Sequence, residues 1–256
     1  MADYPANDFA FHIVLNALAE AEAETVLEVG MGHGNAVALL SADDRELWGI
    51  EKDPQRLAES QAKLTTAGLE PGRVILADIE DPISYTGIRP PGGFDALVAL
   101  GVLPHVNHEI QTLENMAALL GEGGQVFIEF RNSLFSLFTF NRYTYEFIMD
   151  DLLVDVPQAV RDAVAEEIKP RLAMDKPPTS AHPSKFHNPF EVTELFEAAG
   201  FDEVDIHPFH YHAAPPMISG KIGDLFDEAS KALEHEPTKW RGLFLCSAFL
   251  VQASVD

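Results

Sequence analysis

Glu28 closes the short apolar run Thr25-Val26-Leu27, and after Val29 come three glycines at alternating positions, Gly30, Gly32 and Gly34. Glycines so spaced let a ligand lie directly against the backbone, where a Cβ would collide with it. The run reads as a strand and the glycines as a turn opening a helix at Ala36-Val37-Ala38-Leu39-Leu40. Such a turn offers free N–H groups at a helix N-terminus, a setting used by nucleotide-like ligands. Two details select among them. Counting from Gly30, the last place of a Gly-x-Gly-x-x-Gly/Ala dinucleotide fingerprint is Asn35, so the third small residue is missing. The Glu28 carboxylate would also repel a pyrophosphate and attract an ammonium or sulfonium. No Gly-Lys-Ser/Thr follows the turn, so it is no Walker loop. The ligand expected here is cationic at one end.

On these residues the chain resembles the class I S-adenosylmethionine-dependent methyltransferases, whose first motif is an acidic residue followed by Gly-x-Gly-x-Gly. The resemblance continues in register. Glu46-Leu47-Trp48-Gly49-Ile50 reads as a second strand ending in Glu51, 21 positions after Gly30, where a carboxylate can accept from both hydroxyls of a ribose. Val74-Ile75-Leu76-Ala77 reads as a third strand ending in Asp78-Ile79. Phe94 to Leu100 reads as a fourth, leading into Gly101-Val102-Leu103-Pro104-His105. A fifth, Gln125 to Phe130, follows the turn Gly121-Glu122-Gly123-Gly124, in which Glu122 stands where the family usually has proline. The resemblance implies S-adenosylmethionine as cofactor and S-adenosylhomocysteine as product. It places Glu28 on the methionine end, Glu51 on the ribose, Asp78 on the adenine amino group and Ile79 over the ring. Lys52 and Leu100 are implied beside them.

Alternation of strands with helical patterns at Pro54 to Ala67 and Asn107 to Leu120 implies a parallel sheet with helices on both faces. The expected fold is therefore α/β, doubly wound and Rossmann-like. With the resemblance, it is a mostly parallel seven-stranded sheet with an antiparallel last strand and a helical lid insertion. A first helix begins near Asp8, with Phe9, Ile13 and Ala17 on one face. A helix from Pro189 to Ala199 precedes a strand near Asp202 to His207, and the apolar run Leu243 to Val251 closes the sheet. Residues 1–256 read as a single methyltransferase domain carrying two insertions, 131–187 as a lid and acceptor-binding segment and 208–240 as an irregular one. Both emerge at the strands' carboxyl edge, where open α/β sheets bind ligands.

Chemistry beyond the cofactor needs an apolar acceptor pocket and, for a hydroxyl acceptor, a base. His105, in the loop after the fourth strand, is the first candidate and His187 the second; for His105 a structural role bonded to backbone weighs about equally. Residues 131–147 read as an amphipathic helix, more often core packing than a pocket lining. Within it Tyr143 and Tyr145 can orient a polar acceptor, and Arg131 and Arg142 can hold a carboxylate or phosphate. His207, His210 and His212 cluster, with 210 and 212 on one strand face. No carboxylate falls at suggestive spacing, and no metal is expected.

Composition sets further bounds. Forty-one acidic against 17 basic residues give a net charge of -24, which opposes the phosphate backbone and excludes nucleic acid as the expected partner. No run reaches the length of a membrane span and no signal peptide is evident, so a cytoplasmic location is expected. The single cysteine, Cys246, lies in an apolar run and reads as inert strand burial. The reading favoured is methyl transfer to a small, partly apolar acceptor, most readily at oxygen. N-methylation of an amine or amino sugar, and a non-catalytic S-adenosylmethionine-binding partner subunit, are the alternatives; a nicotinamide oxidoreductase is disfavoured by Asn35 and Glu28. The oligomeric state does not follow from the sequence.

Overall fold

The computed structural model describes residues 8–174, 185–235 and 239–256. Seven strands form one sheet: β1 (Thr25–Val29), β2 (Glu46–Glu51), β3 (Val74–Leu76), β4 (Phe94–Ala99), β5 (Leu120–Arg131), β6 (Asp202–Tyr211) and β7 (Cys246–Ser254). Their order is β3-β2-β1-β4-β5-β7-β6. β1 pairs in parallel with β2 and β4, β2 with β3, and β4 with β5. β7 runs antiparallel to β5, as Gly123 N–H donates to the Val255 carbonyl while Asn132 N–H donates to that of Ser247. The order reverses at β1 and β4, the switch point at which doubly wound sheets bind ligands.

The described helices are α1 (Asp8–Glu20), α2 (Val37–Leu40), α3 (Pro54–Thr66), α4 (Glu109–Ala117), α5 (Ser136–Thr139), α6 (Arg142–Glu146), α7 (Gln158–Ile168), α8 (Val192–Ala198), α9 (Ser219–Ile222), α10 (Asp224–His235) and α11 (Lys239–Leu245). None is long and apolar enough to cross a membrane. Contacts divide the chain into two compact units. A sheet unit holds residues 8–130, 190–207 and 250–256; an inserted unit is built from the described parts of 131–189 and 208–249.

In the sheet unit the strands are apolar because both faces are covered. Val26, Leu27, Phe94, Leu97, Val126 and Phe127 are each fully buried. Asp95 fixes where β1 starts: its Oδ2 accepts from the backbone N–H groups of Glu24 and Thr25 and from the Thr25 hydroxyl. Asp53 caps α3 through the N–H groups of Gln55 and Arg56, with Pro54 in the first turn. The stripe that α1 buries is Ala10, Val14 and Leu18. The expected stripe of Phe9, Ile13 and Ala17 is one residue off and only half-buried.

Other expectations shift too. α4 and α8 are shorter than their periodic stretches, β5 starts at Leu120, ahead of the glycine turn expected to precede it, and β6 continues to Tyr211. Leu243 to Leu245 complete α11 rather than opening β7, and the supposedly irregular 208–240 contains the twelve-residue α10.

In the inserted unit, the single helix expected over 131–147 is two. Phe140 adopts φ 53°, and Asn141 restarts the chain by accepting from the Tyr143 N–H, with Thr144 bonding back to the Asn141 N–H. A capping box outcompetes continued helix there. Asn132 is fully buried; its Nδ2 donates to the carbonyls of Leu243 and Cys246 at 2.5 and 2.8 Å, and its Oδ1 accepts from the Leu134 N–H.

The approach of β4 to β5 rests on two glycines. A Cβ on Gly93, whose φ is 96°, would meet the Leu120 carbonyl carbon at 2.5 Å and Gly121 Cα at 2.6 Å. Backbone cannot yield as a side chain does, so Gly93→Ala should cost about 3 kcal/mol or more. Urea denaturation of the full chain measures this; a loss under about 1 kcal/mol would contradict the packing described.

Candidate active site

β1 delivers its chain into the glycine turn at the switch point. Gly30 N–H donates to the Ile50 carbonyl at 2.8 Å and Gly34 N–H to that of Met31 at 2.9 Å. All three glycines have positive φ, at 72°, 53° and 68°. They differ in what surrounds them. A Cβ on Gly30 would meet Val102 Cγ2 at 2.7 Å, and one on Gly34 would meet Ser60 Cα at 3.0 Å. At Gly32 the nearest atom would be 3.9 Å away. Gly30 and Gly34 are thus needed for packing, and the open space lies over Gly32. The turn does not open a helix directly, since α2 starts only at Val37 and has four residues. Donors here belong to the turn itself.

Glu51 is buried, and both its oxygens are engaged: Oε2 accepts from Gly32 N–H at 2.7 Å and Oε1 from Asp53 N–H at 2.9 Å. It ties the glycine turn to the turn after β2. Glu28 lies behind them. Its Oε2 is sealed from solvent and has no hydrogen-bond partner. Burial, and then the nearby Glu51 charge, push its carboxyl up to about 8, so the site holds a proton at neutral pH that a cationic ligand group would displace. Lys52 is exposed at the end of β2, and Leu100 is half-buried after β4. Around the turn His33 Nδ1 meets Glu59 at 2.5 Å, and Lys63 Nζ meets Asn35 Oδ1 at 2.5 Å.

After β3, Asp78 is half-buried and accepts from the Glu80 N–H through Oδ1. Ile79 is buried, and its carbonyl accepts from Asn115 Nδ2 at 2.9 Å and from the Tyr85 hydroxyl at 3.3 Å. Glu80, which the sequence did not single out, joins this loop to the one after β4. It accepts from the N–H groups of Asn107 and His108 and from Asn107 Nδ2. Burial raises the Glu80 carboxyl, but these hydrogen bonds outweigh it and hold it below its usual range. His105 ends the turn Leu103–His105 in the same loop and is exposed. Its neighbour Val102 is the residue pressed against Gly30. The sheet unit therefore brings Glu28, the glycines, Glu51, Asp78, Ile79 and His105 to one edge.

The remaining candidates belong to the inserted unit. His187 is half-buried and locked by its main chain: its N–H donates to the Arg131 carbonyl and its carbonyl accepts from Ser133 N–H. Arg142 pairs with Glu146 one turn on, at 2.5 Å, which removes it as a ready anion partner. Tyr143 packs against Phe186 with ring centroids 5.2 Å apart, Tyr145 is half-buried, and so is Arg131. His210 and His212 do lie together, their rings 4.9 Å apart, but not through regular alternation, since His210 has φ 56°. Ser247 bridges them, its Oγ 2.8 Å from His210 Nδ1 and 3.2 Å from His212 Nε2. Among the described residues no group of three or more His, Cys, Asp or Glu side chains is arranged to hold a metal. Cys246 is buried, and burial pushes its thiol up to about 12.

A family model for a methyltransferase domain matches residues 6–206. The chain belongs to that family, and its fold and motifs make it a class I S-adenosylmethionine-dependent methyltransferase. It is 25% identical over 203 residues to a ubiquinone biosynthesis O-methyltransferase of Vibrio parahaemolyticus, covering 77% of this chain and 71% of that one. It is 26% identical over 124 residues to a tRNA U34 carboxymethyltransferase of Haemophilus ducreyi, covering 48% of this chain but only 37% of that enzyme's length. Among solved structures, an S-adenosylmethionine-dependent methyltransferase of Clostridium acetobutylicum shares the fold, with a TM-score of 0.58 at 9% identity over 99% of this chain and 92% of that one. The residues present fit the cofactor on the structure's own terms: an open space over Gly32 and a buried, partnerless carboxylate oxygen on Glu28 suit a ligand with a cationic end.

The Glu28 proton has a consequence for stability. The folded chain without ligand holds it up to about pH 8, the unfolded chain only to about 4.5. This group's contribution is therefore greatest below 4.5, falls as pH rises between the two values, and levels off above. Glu28→Gln should remove that slope, so the variant gains stability relative to wild type from pH 5 to 8.5 in urea denaturation. A difference independent of pH would rule out the buried, protonated carboxyl.

Proposed function

We propose that this methyltransferase O-methylates a small, partly apolar acceptor, with His105 as the base and the inserted unit as acceptor-binding lid. The observation that carries this is the contact between Val102 and Gly30, which presses the loop bearing His105 onto the glycine turn. When bound, S-adenosylmethionine supplies a methyl group activated by its sulfonium. The chain's own residues do the rest. Glu28 takes the ammonium of the methionine end, Gly32 admits the ligand against the backbone in a turn that Gly30 and Gly34 allow to pack, and Glu51 accepts from the ribose. Asp78 accepts from the adenine amino group, with Ile79, Leu100 and Lys52 around it. His105 removes the hydroxyl proton of the acceptor, and Glu80 positions that loop through its three hydrogen bonds.

Segments 131–187 and 208–240 form the acceptor-binding part in this reading. Arg131, Tyr143 and Tyr145 orient the acceptor there, and His187, whose backbone is fixed, is the second candidate for proton handling. Arg142 serves its helix through Glu146. The relative named for O-methylation in ubiquinone biosynthesis supports an oxygen acceptor. The net charge of -24 weighs against a tRNA acceptor.

Calorimetric titration with S-adenosylmethionine and S-adenosylhomocysteine, with NAD as control, tests the cofactor assignment; binding of NAD alone would overturn it. Glu51→Ala should weaken binding of both by about 10- to 100-fold, the loss expected when ligand hydroxyls lose a charged acceptor. Unchanged affinity would remove Glu51 from the ribose. His105→Ala should lower turnover about 100-fold while cofactor affinity stays the same. Full turnover in that variant would show that His105 is not the base.

A further inference from the structure

The inserted unit contains a polar group that the cofactor site does not use. His212 Nδ1 is sealed from solvent and has no hydrogen-bond partner. A buried nitrogen left so costs about 1–3 kcal/mol, and His212 Nδ1 is one of several such atoms among the described residues. Its surroundings are aromatic and come from three separate stretches of chain. The ring lies 4.6 Å from that of Phe135, 5.8 Å from Phe226 and 4.9 Å from His210, centroid to centroid. Phe135 follows β5 and Phe226 lies on α10, so both insertions meet at this imidazole.

The other side of the ring sets its chemistry. Nε2 faces the Ser247 hydroxyl, which faces His210 Nδ1 more closely and lies 3.3 Å from the His210 carbonyl. A hydroxyl has one hydrogen. If it goes to His210, through either the ring nitrogen or the carbonyl, His212 must donate from Nε2, and its Nδ1 is left as a bare lone pair. Burial holds both rings below their usual range, and the His210 ring lowers His212 further, to about 3. Neither imidazole is charged at neutral pH. His210 keeps a strained positive φ, which persists only where the surroundings enforce it.

We propose that His212 recognises the methyl acceptor: its Nδ1 accepts a hydrogen bond from a neutral hydroxyl carried on a flat aromatic body that packs on Phe135 and Phe226. Ser247 and His210 are positioning residues that fix the ring's tautomer. The acceptor class is phenol-like, and anionic acceptors gain nothing from uncharged rings. The inference rests on the methyltransferase reading for the role of this ligand, while the site itself is defined within the inserted unit.

The test uses the full chain, with phenol and toluene as probes of one shape with and without a donor. Phenol should bind about tenfold or more tightly than toluene, the discrimination expected when a buried acceptor is satisfied. It should also move the Nδ1 resonance of His212 in ring-nitrogen NMR spectra. His212→Phe should bring the two affinities together and leave S-adenosylhomocysteine binding unchanged. Equal binding of phenol and toluene by wild type, or a preference retained in the variant, overturns the inference. Should the variant not fold, as judged by circular dichroism and lost S-adenosylhomocysteine binding, a wild-type Nδ1 resonance unmoved by phenol overturns it equally. A chain that binds S-adenosylhomocysteine but shows no preference for phenol overturns this site alone. One that prefers phenol but binds no S-adenosylhomocysteine overturns the acceptor role.

Discussion

Two carboxylates share the space behind one glycine turn, and they cannot both be charged there without cost. Glu51 has the backbone N–H groups of Gly32 and Asp53 on its two oxygens. Glu28, denied such partners and facing the Glu51 charge, keeps its proton instead. The asymmetry has mechanical and chemical consequences. Mechanically, Glu51 holds the turns after β1 and β2 together. Chemically, Glu28 becomes a site whose negative charge develops when a cationic group is presented to it.

The same economy of backbone donors orders the next loops. Glu80 gathers two main-chain N–H groups and one side-chain amide from the loop after β4, while Asn115 and Tyr85 hold the carbonyl of Ile79. The segments flanking the switch point are thus fixed by side chains reaching across, as loops without regular ladders must be. A candidate base placed on such a loop moves with it. Precision at His105 therefore depends on residues that touch no ligand.

How far the sequence carries this is set by the range of the forces involved. The strands of the sheet unit, the glycine turn and the acidic strand ends were readable because each signal is local: apolar runs, φ > 0 residues, a charge at a strand's end. The Asp53 cap with Pro54 was readable for the same reason. Readings failed where two local signals competed. Residues 134–147 have helical spacing, but Asn141 and Thr144 form a capping box that breaks the run at Phe140. Residues 243–245 are apolar enough for a strand, yet they finish α11 before β7 begins. Partnerships such as Asn132 with Leu243 and Cys246, or Ser247 with two histidines, join residues 35 or more positions apart. No periodicity announces them, although a buried asparagine in an apolar stretch is itself a signal that such partners exist.

Charge is distributed differently between surface and interior. Acidic residues outnumber basic ones by 24, and most of them lie where water and salt screen them, so they repel polyanions at a distance without setting affinity at a site. The interior of the inserted unit is the opposite: His210 and His212 are uncharged, Cys246 stays a thiol, and the nearby rings are aromatic. A negatively charged acceptor would meet repulsion outside and find no countercharge among these groups. A strongly cationic one would be drawn in but would lose its hydration against rings that offer at most a lone pair and a π face. On the acceptor reading proposed above, a neutral, flat molecule with one hydroxyl loses least on entry and would satisfy His212 Nδ1, one of the buried nitrogens without a hydrogen-bond partner.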